Sequence, residues 1–233
     1  LASVLQDLSQ RNSQIILTTH SPYFVSGKYF ENVRRVRKNS AKRCSEVFQV
    51  SNSEVAQRVA EVTGEKLKPS NVQQARLHQA LQPNLNEMFF TSKLILVEGL
   101  EDVAYITSWM FLTKRWERFR CSGCHIVPVH GKDGLIESLI IAQKLDIPVF
   151  VIFDADSDKK DKESHRKHHE RDNKALLGLL DEDTENFFPE STIWGQNCIV
   201  WSKNISEALR DEITESIWDK TIAQTARRFG LVN

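Results

Sequence analysis

The sequence has no excess of either charge, few cysteines and no long apolar run. Its 31 basic and 31 acidic side chains cancel, so any attraction to a charged partner has to be local. The four cysteines, Cys44, Cys121, Cys124 and Cys198, are too few and too scattered for a disulfide scaffold, and Cys121 and Cys124 lack a second pair at zinc-binding spacing. No stretch is apolar enough to span a bilayer, and no charged-then-apolar leader opens the chain. These absences predict a cytoplasmic protein.

The chain starts inside an amphipathic pattern. Leu1, Val4, Leu5 and Leu8 repeat at helical spacing, with no start signal before them. This pattern predicts a fragment of something longer.

The first third mixes short strands with helices. Residues 14–18 read as a buried strand that ends at a polar turn. A basic stretch with six Lys or Arg between positions 34 and 43 opens a predicted hairpin, and a solvated strand face is favoured over phosphate binding there. Residues 52–64 and 71–82 read as helices, and a domain boundary is predicted near 84–92.

From there the chain alternates between strands and helices. Strands are predicted at 94–97, 125–129, 148–153 and 198–201, with helices at 101–115, 133–145, near 173–180 and from 204. Short, continuously apolar strands between helices predict an α/β fold, a parallel sheet with helices on both faces. Ligands bind such sheets beyond the carboxyl ends of the strands.

Two of these strands end in acids. Glu98 and Gly99 follow the first strand, and Asp102 lies one helical turn further on. Asp154 and Asp156 follow a later strand, and an extended segment would put both on one side. Carboxylate oxygens suit Mg²⁺ or Mn²⁺, and the glycine would let a ligand approach closely.

Simpler interpretations exist for each motif alone. Asp102 can cap a helix, and the aspartate pair can belong to a solvated turn. Their occurrence together, at the ends of two strands of one β/α unit, favours a metal site. Lys132, in "VHGKDG", precedes a helix start and can hold a phosphate there, or can be an ordinary exposed lysine.

The motif pair "LVEGLED" and "FDADSD" resembles the Toprim domain of topoisomerases, primases, recombination proteins and nucleases. The resemblance implies that Glu98 is the domain's conserved acid and that Asp154 and Asp156 are its metal-binding pair. It also implies that "VHGKDG", with Lys132, is the glycine-lysine turn of Toprim nucleases.

The first third resembles an ATPase. "QIILTTHSPYFVS" is similar to the switch-histidine strand of ABC-type ATPases, which implies that His20 would sense the γ-phosphate of ATP. The sequence contains no G-x-x-x-x-G-K-[ST] motif, so ATP would act only through a missing N-terminal ATPase domain.

This order of segments resembles the OLD (overcoming lysogenization defect) family of ATP-dependent endonucleases. The resemblance implies a C-terminal remnant of the ABC-type ATPase domain at 1–50, a helical connector at 51–90 and a Toprim nuclease domain at 91–233. It also implies a homodimer of the full-length protein. A further metal-binding acid is implied as well, and Glu207 is the candidate. A glutamate that simply stabilises the start of a helix explains Glu207 equally well. The charged segment 157–172 is predicted to be a mobile, solvated insertion, with tracking of the DNA backbone as the alternative.

The function that the resemblance implies is metal-dependent endonucleolytic cleavage of DNA. Two ions, held by the aspartate pair and by Glu98 with Asp102, would stabilise the attacking and leaving oxygens, and Lys132 would neutralise phosphate charge. Glu98 is an alternative general base. Two rival functions stay open. One is nucleotidyl transfer or strand passage, the latter needing a tyrosine nucleophile, either Tyr23, Tyr29 or Tyr105 or one donated by a partner domain. The other is a non-catalytic metal-binding interaction module.

Overall fold

The structure is a computed structural model of the 233-residue chain. It describes residues 2–25, 27, 29–39, 41–69, 71–72, 83–159 and 163–230. Across these residues, no helix combines the length and the apolar character needed to cross a membrane.

The described residues form helices and strands in the following order along the chain. The helices are α1 (Ala2–Ser9), α2 (Asn52–Thr63), α3 (Pro83–Asn86), α4 (Leu100–Leu112), α5 (Trp116–Cys121), α6 (Lys132–Lys144), α7 (Glu163–Leu179), α8 (Ile205–Glu212) and α9 (Glu215–Arg228). The strands are β1 (Arg35–Asn39), β2 (Cys44–Phe48), β3 (Lys93–Val97), β4 (Cys124–Pro128), β5 (Val149–Asp154), β6 (Ile193–Trp194) and β7 (Cys198–Trp201). Short 3-10 turns lie at Pro22–Phe24, Phe30–Asn32, Glu87–Phe90 and Ser157–Lys159.

The larger sheet has five strands in the order β4-β3-β5-β7-β6. Strands β3, β4, β5 and β7 are parallel, whereas the short edge strand β6, which was not foreseen, pairs antiparallel with β7. Val97 lies opposite both Pro128 and Ile152, so β3, β4 and β5 end at the same edge. The predicted α/β fold with a largely parallel sheet is confirmed.

Helices cover both faces of this sheet. Helix α4 connects β3 to β4 and α6 connects β4 back to β5, in opposite directions across the sheet, so right-handed crossovers place them on opposite faces. The central strand β5 is buried at Val151, Ile152 and Phe153 in succession, as a strand covered on both faces requires. Helix α6 supplies the largest share of the helical core, with Leu135, Ile136, Leu139, Ile140, Ile141 and Ala142 buried.

The hydrophobic core also includes the first third of the chain. Phe30, Val55 and Met88 belong to the same buried cluster as the strands of the large sheet. Helix α2 begins with a capping box between Ser51 and Glu54 and packs against α6 and α7. The core therefore continues across the boundaries expected near residues 50 and 90.

Two expected elements differ in the structure. Residues 14–18 form no strand, and Ile16 is 87% exposed, because no described strand pairs with this segment. The charged segment after β5 is helical from residue 163, so α7 starts ten residues earlier than expected. Most of its described residues up to His168 are exposed, whereas Asp172 and, just beyond the segment, Asn173 are buried. The second predicted helix, 71–82, lies almost wholly outside the described residues.

The predicted hairpin is confirmed by the antiparallel pair β1 and β2. Its basic residues bind the end of α6: Arg35 Nη1 donates to the carbonyl oxygens of Leu145 (2.9 Å) and Asp146 (2.7 Å). Arg37 Nη1 also lies 2.5 Å from Asp146 Oδ2. Because the last carbonyls of a helix carry partial negative charge, these guanidinium groups stabilise its C-terminus.

Replacing Arg35 by Met is expected to lower the free energy of unfolding by about 1–3 kcal/mol, because two charge-assisted hydrogen bonds to the end of α6 are lost. Urea unfolding followed by circular dichroism measures the change. Lys38→Met, at an exposed position of the same strand, is the matched control. Equal stability of the two variants would show that the hydrogen bonds from Arg35 to the end of α6 do not stabilise the fold.

Candidate metal centre

The turn between β3 and α4 presents the first acids. Strand β3 ends at Val97, Glu98 follows, and Gly99 is the N-cap of α4. The amide of Gly99 donates to Asp102 Oδ2 over 2.9 Å, so Asp102 caps the helix as the simpler interpretation anticipated. Asp102 also lines the cleft described below, so the residue that caps α4 lies where a metal ligand would be needed.

Glu98 meets the end of β5. Its Oε1 accepts a hydrogen bond from the backbone amide of Asp154 over 2.9 Å. The contact arises because β3 and β5 are neighbours in the sheet and end in register. The structure therefore brings Glu98 and Asp154 together from positions 56 residues apart.

Asp156 is paired with basic side chains. Its backbone φ is +55°, so the chain is not extended at this residue, as the expected placement of both aspartates on one side had assumed. Asp156 Oδ2 accepts from Lys132 Nζ (2.6 Å) and lies 3.2 Å from His169 Nδ1. Its Oδ1 accepts from Lys159 Nζ (2.5 Å). Three nitrogen groups thus surround this one buried carboxylate.

The turn after β4 aims Lys132 at Asp156. His130 and Gly131 both have positive φ, and the Gly131 amide donates to the carbonyl of Glu98 over 3.0 Å. Helix α6 then starts at Lys132, which is only 6% exposed and hence not the ordinary surface lysine of the simpler interpretation. A Cβ at Gly134 would lie 2.2 Å from the carbonyl oxygen of Val129, so only glycine allows this close approach.

The charges of these acids are unevenly compensated. Burial raises the pKa of Asp154 to about 8, and repulsion from Glu98 and Asp102 adds to the shift. Burial also raises the pKa of Glu98 to about 7, although Lys132 and the Asp154 amide oppose it. Burial acts in the same direction on Asp156, but Lys132 and Lys159 outweigh it and hold that pKa below its ordinary value. A cation bound here would therefore mainly lower the raised pKa values of Glu98 and Asp154 by stabilising their ionised forms.

An open cleft of about 280 Å³ lies at this edge of the sheet. Its lining contains the acids Glu98, Glu101, Asp102 and Asp154, together with Gly99, Gly131, Asn204 and Ile205. We call it the acid cleft. Asp154 Oδ1 is inaccessible to solvent and has no hydrogen-bond partner. A buried carboxylate oxygen without a donor fits a cation, and an all-carboxylate set fits a hard one such as Mg²⁺ or Mn²⁺.

The acids at this edge of the sheet are bonded to other partners. In the acid cleft, Glu98 accepts from the Asp154 amide and Asp102 from the Gly99 amide, and next to the cleft Asp156 accepts from Lys132. Among the described residues, three acidic or histidine ligand atoms come within 4.8 Å of one another only at Asp133, His168 and Asp172. Holding an ion in the acid cleft therefore requires side-chain rotation.

Two sequence candidates lie away from the acid cleft. Glu207 is in the first turn of α8, pairs at 3.9 Å with Lys203 and with Arg210, and is not part of the lining. His20 is exposed, and its ring centroid lies 6.4 Å from that of Phe90.

Sequence reasoning missed several groups around the acids. Asn204 lines the cleft and caps α8 by accepting from the Glu207 amide over 2.8 Å. Lys159 and His169 reach Asp156 from the charged segment that was expected to be solvated. The spacing of Asp156 and Lys159, three residues apart, was the one available signal for these contacts.

Comparison with known proteins agrees with this geometry. Residues 89–156 match the family described as "Overcoming lysogenization defect protein-like, TOPRIM domain". The match begins just before β3 and ends at Asp156, and so includes Glu98, Lys132 and Asp154. No curated protein matches the chain.

The fold and the matched residues together define a Toprim domain. This part of the chain is the OLD-like Toprim region that the sequence motifs indicated. Such a domain indicates metal-dependent processing of nucleic acids, with divalent ions as its cofactors.

Proposed function

We propose that the chain is the Toprim part of a DNA endonuclease that hydrolyses phosphodiester bonds with Mg²⁺ or Mn²⁺. The observation that carries this proposal is Asp154, which lines the acid cleft beside Glu98 and has a buried carboxylate oxygen, Oδ1, without a hydrogen-bond partner. The match of residues 89–156 to the OLD-like Toprim family supports the substrate class.

Glu98, Asp102 and Asp154 would hold one or two divalent ions in the acid cleft, and Asp156 would join them on release from Lys132. Bound there, the ions would lower the pKa of a water nucleophile and neutralise charge on the scissile phosphate. Glu207 is left out of this set because its carboxylate already pairs with two cations outside the cleft.

The chain's own cations would act on the phosphate. Lys132 stands at the first turn of α6, where its ammonium group and the free amides of the helix start can bind an anion together. Released from Asp156, its charge would stabilise the additional negative charge of the transition state. Lys159 and His169 surround the same carboxylate and would remain to compensate it.

Further parts of the proposal rest on the resemblance to OLD proteins. We propose that residues 1–50 derive from an ABC-type ATPase domain, that 51–90 form a connector, and that the complete protein is a cytoplasmic homodimer. His20 would contact ATP only in the presence of such an ATPase domain.

The proposal is tested by incubating the chain with supercoiled plasmid DNA and Mg²⁺, Mn²⁺ or EDTA. Nicked or linear product is expected with the metal ions only, and Glu98→Gln is expected to reduce its rate at least about 100-fold, by analogy with the loss of one transition-state contact. Glu117→Gln, at an exposed position of α5, is the control.

The same incubation separates the rival functions. Undiminished cleavage by Glu98→Gln would refute the role of the acid cleft. Incorporation of labelled nucleotides on a single-stranded template would point to nucleotidyl transfer instead of hydrolysis. Metal binding without any cleavage would identify a non-catalytic module.

A further inference from the structure

A second group of metal-ligating side chains lies between α6 and α7. Asp133, His168 and Asp172 each offer one ligand atom, and these three atoms lie within 4.8 Å of one another. His168 and Asp172 are four residues apart on α7 and so share one face, while Asp133 belongs to the first turn of α6. None of the three lines the acid cleft.

Asp172 supplies independent support for a ligand at this place. The residue is 1% exposed, and its Oδ2 has no hydrogen-bond partner. His168 Nε2 lies 3.2 Å from this oxygen, but without the geometry of a hydrogen bond. Leaving a buried carboxylate oxygen without a donor costs about 1–3 kcal/mol. His168 Nε2 and Asp172 Oδ2 are thus close together without a hydrogen bond between them, as two neighbouring ligands of one ion would be.

Arg171 orients the two carboxylates through hydrogen bonds. It donates to Asp172 Oδ1 through Nε (2.7 Å) and to Asp133 Oδ1 through Nη2 (3.1 Å), and so leaves Asp172 Oδ2 turned towards His168. Carboxylates that bind metals are commonly fixed in this way by an outer hydrogen-bond donor.

Arg171 is shared between the two carboxylates of the group. It pairs with both Asp133 and Asp172, so one guanidinium group serves two of the three side chains.

We propose that Asp133, His168 and Asp172 form a second metal site, which binds a divalent transition ion such as Zn²⁺ or Mn²⁺. One imidazole nitrogen with two carboxylate oxygens suits these ions, whereas Mg²⁺ prefers oxygen ligands alone.

The site is structurally linked to the acid cleft. Asp133 follows Lys132 and His168 precedes His169, and both of those neighbours contact Asp156 Oδ2. An ion between α6 and α7 would therefore fix the two helices that hold Asp156.

The test is a binding titration of the full 233-residue chain, freed of metal and then supplied with excess Mg²⁺. Zn²⁺ is titrated by calorimetry, and Co²⁺ by its visible absorption, which reports nitrogen and oxygen ligands. Wild type and Asp154→Asn are both expected to bind the ion here. His168→Gln and Asp133→Asn are expected to weaken this binding at least about tenfold. His168 and Asp133 are chosen because their side chains are half exposed, 54% and 52%, so the variants should fold.

A distant imidazole serves as the matched control: His20→Gln, at an exposed position, should leave Zn²⁺ affinity unchanged. Wild-type affinity in both His168→Gln and Asp133→Asn would overturn the proposal. The absence of any Zn²⁺ site in Asp154→Asn would overturn it as well. Because the readout is binding, neither result depends on whether the acid cleft cleaves DNA.

Discussion

Asp154→Asn is expected to abolish metal-dependent cleavage and, in the metal-free chain, to increase the free energy of unfolding at pH 8. Both effects have one cause. Burial raises the pKa of Asp154 to about 8, so the ionised carboxylate that a cation requires is the form that the fold alone disfavours. The amide of asparagine removes this charge and keeps the shape of the side chain.

The direction of the pH dependence follows from the raised pKa. Asp154 has a higher pKa in the folded chain than its ordinary 3.8, so its stabilising contribution is complete below about pH 4 and is lost as the pH rises through about 8. Glu98 acts in the same direction up to about pH 7. Asp156, with a lowered pKa, acts in the opposite direction, and its contribution is lost as the pH falls.

The expected gain for Asp154→Asn at pH 8 is on the order of 2 kcal/mol, since one pKa unit corresponds to about 1.4 kcal/mol. It is smaller than the full shift would give, because Glu98 and Asp154 repel each other and titrate together. Urea unfolding in EDTA between pH 5 and pH 9 measures it, and the difference from wild type should shrink at the acidic end.

Asp158→Asn is the matched control, because Asp158 is the third aspartate of the same motif and is exposed. It should change neither cleavage nor the pH profile. A stabilised Asp154→Asn that still cleaved plasmid would remove Asp154 from the proposed metal site. An inactive variant with no gain at pH 8 would show that the carboxylate is not strained in the metal-free fold.

Mg²⁺ should stabilise the wild-type chain most at high pH, where the metal-free chain is weakened by the ionisation of Asp154. Because Glu98 and Asp154 must lose protons to become ligands, Mg²⁺ competes with protons for the acid cleft. The rise in melting temperature on adding Mg²⁺ should therefore increase from pH 6 to pH 9, and it should be small in Asp154→Asn.

The strand-and-helix order was predictable because short apolar runs alternate with helical periodicity. The apolar runs that became β3 and β5 are continuous, as strands covered on both faces must be. Their adjacency was not predictable from this pattern, since β4 lies between them in the sequence but at the sheet edge in space. The meeting of Glu98 and Asp154 depends on that strand order.

The contacts of Asp156 could not be predicted from the alternation of side chains along an extended strand. Its positive φ breaks the extended backbone that such alternation assumes, and its contact with Lys132, 24 residues earlier, depends on the strand order of the sheet. The helical start of α7 was hidden for a related reason. Its buried positions include Asp172 and Asn173, and burial of such residues becomes favourable only with partners from distant segments, such as the Ala155 and Phe187 carbonyls on Asn173.

Lys132→Met is expected to separate metal binding from catalysis. Lys132 Nζ lies 2.6 Å from Asp156 Oδ2, so its charge competes with a divalent ion for that carboxylate. Methionine keeps most of the length of the side chain without the charge. The half-saturating Mn²⁺ concentration should therefore fall, while the maximal rate of plasmid cleavage should decrease about 100- to 1,000-fold, as for loss of one charged contact to the transition state.

Lys159→Met is the matched control for this separation. Lys159 Nζ lies 2.5 Å from the other oxygen of Asp156, but its side chain is 52% exposed against 5% for Lys132. Removal of Lys159 should strengthen Mn²⁺ binding in the same direction, with a much smaller loss of rate, because an exposed ammonium is screened by water.

The two variants together decide what Lys132 does. Initial rates over a range of Mn²⁺ concentrations give the maximal rate and the half-saturating concentration separately for each protein. Equal losses of rate in Lys132→Met and Lys159→Met would mean that both lysines only compensate Asp156. A rate loss in Lys132→Met that excess Mn²⁺ restores would assign Lys132 to positioning of the metal ligand. A loss that persists at saturating Mn²⁺, together with tighter binding, would place its charge on the phosphate.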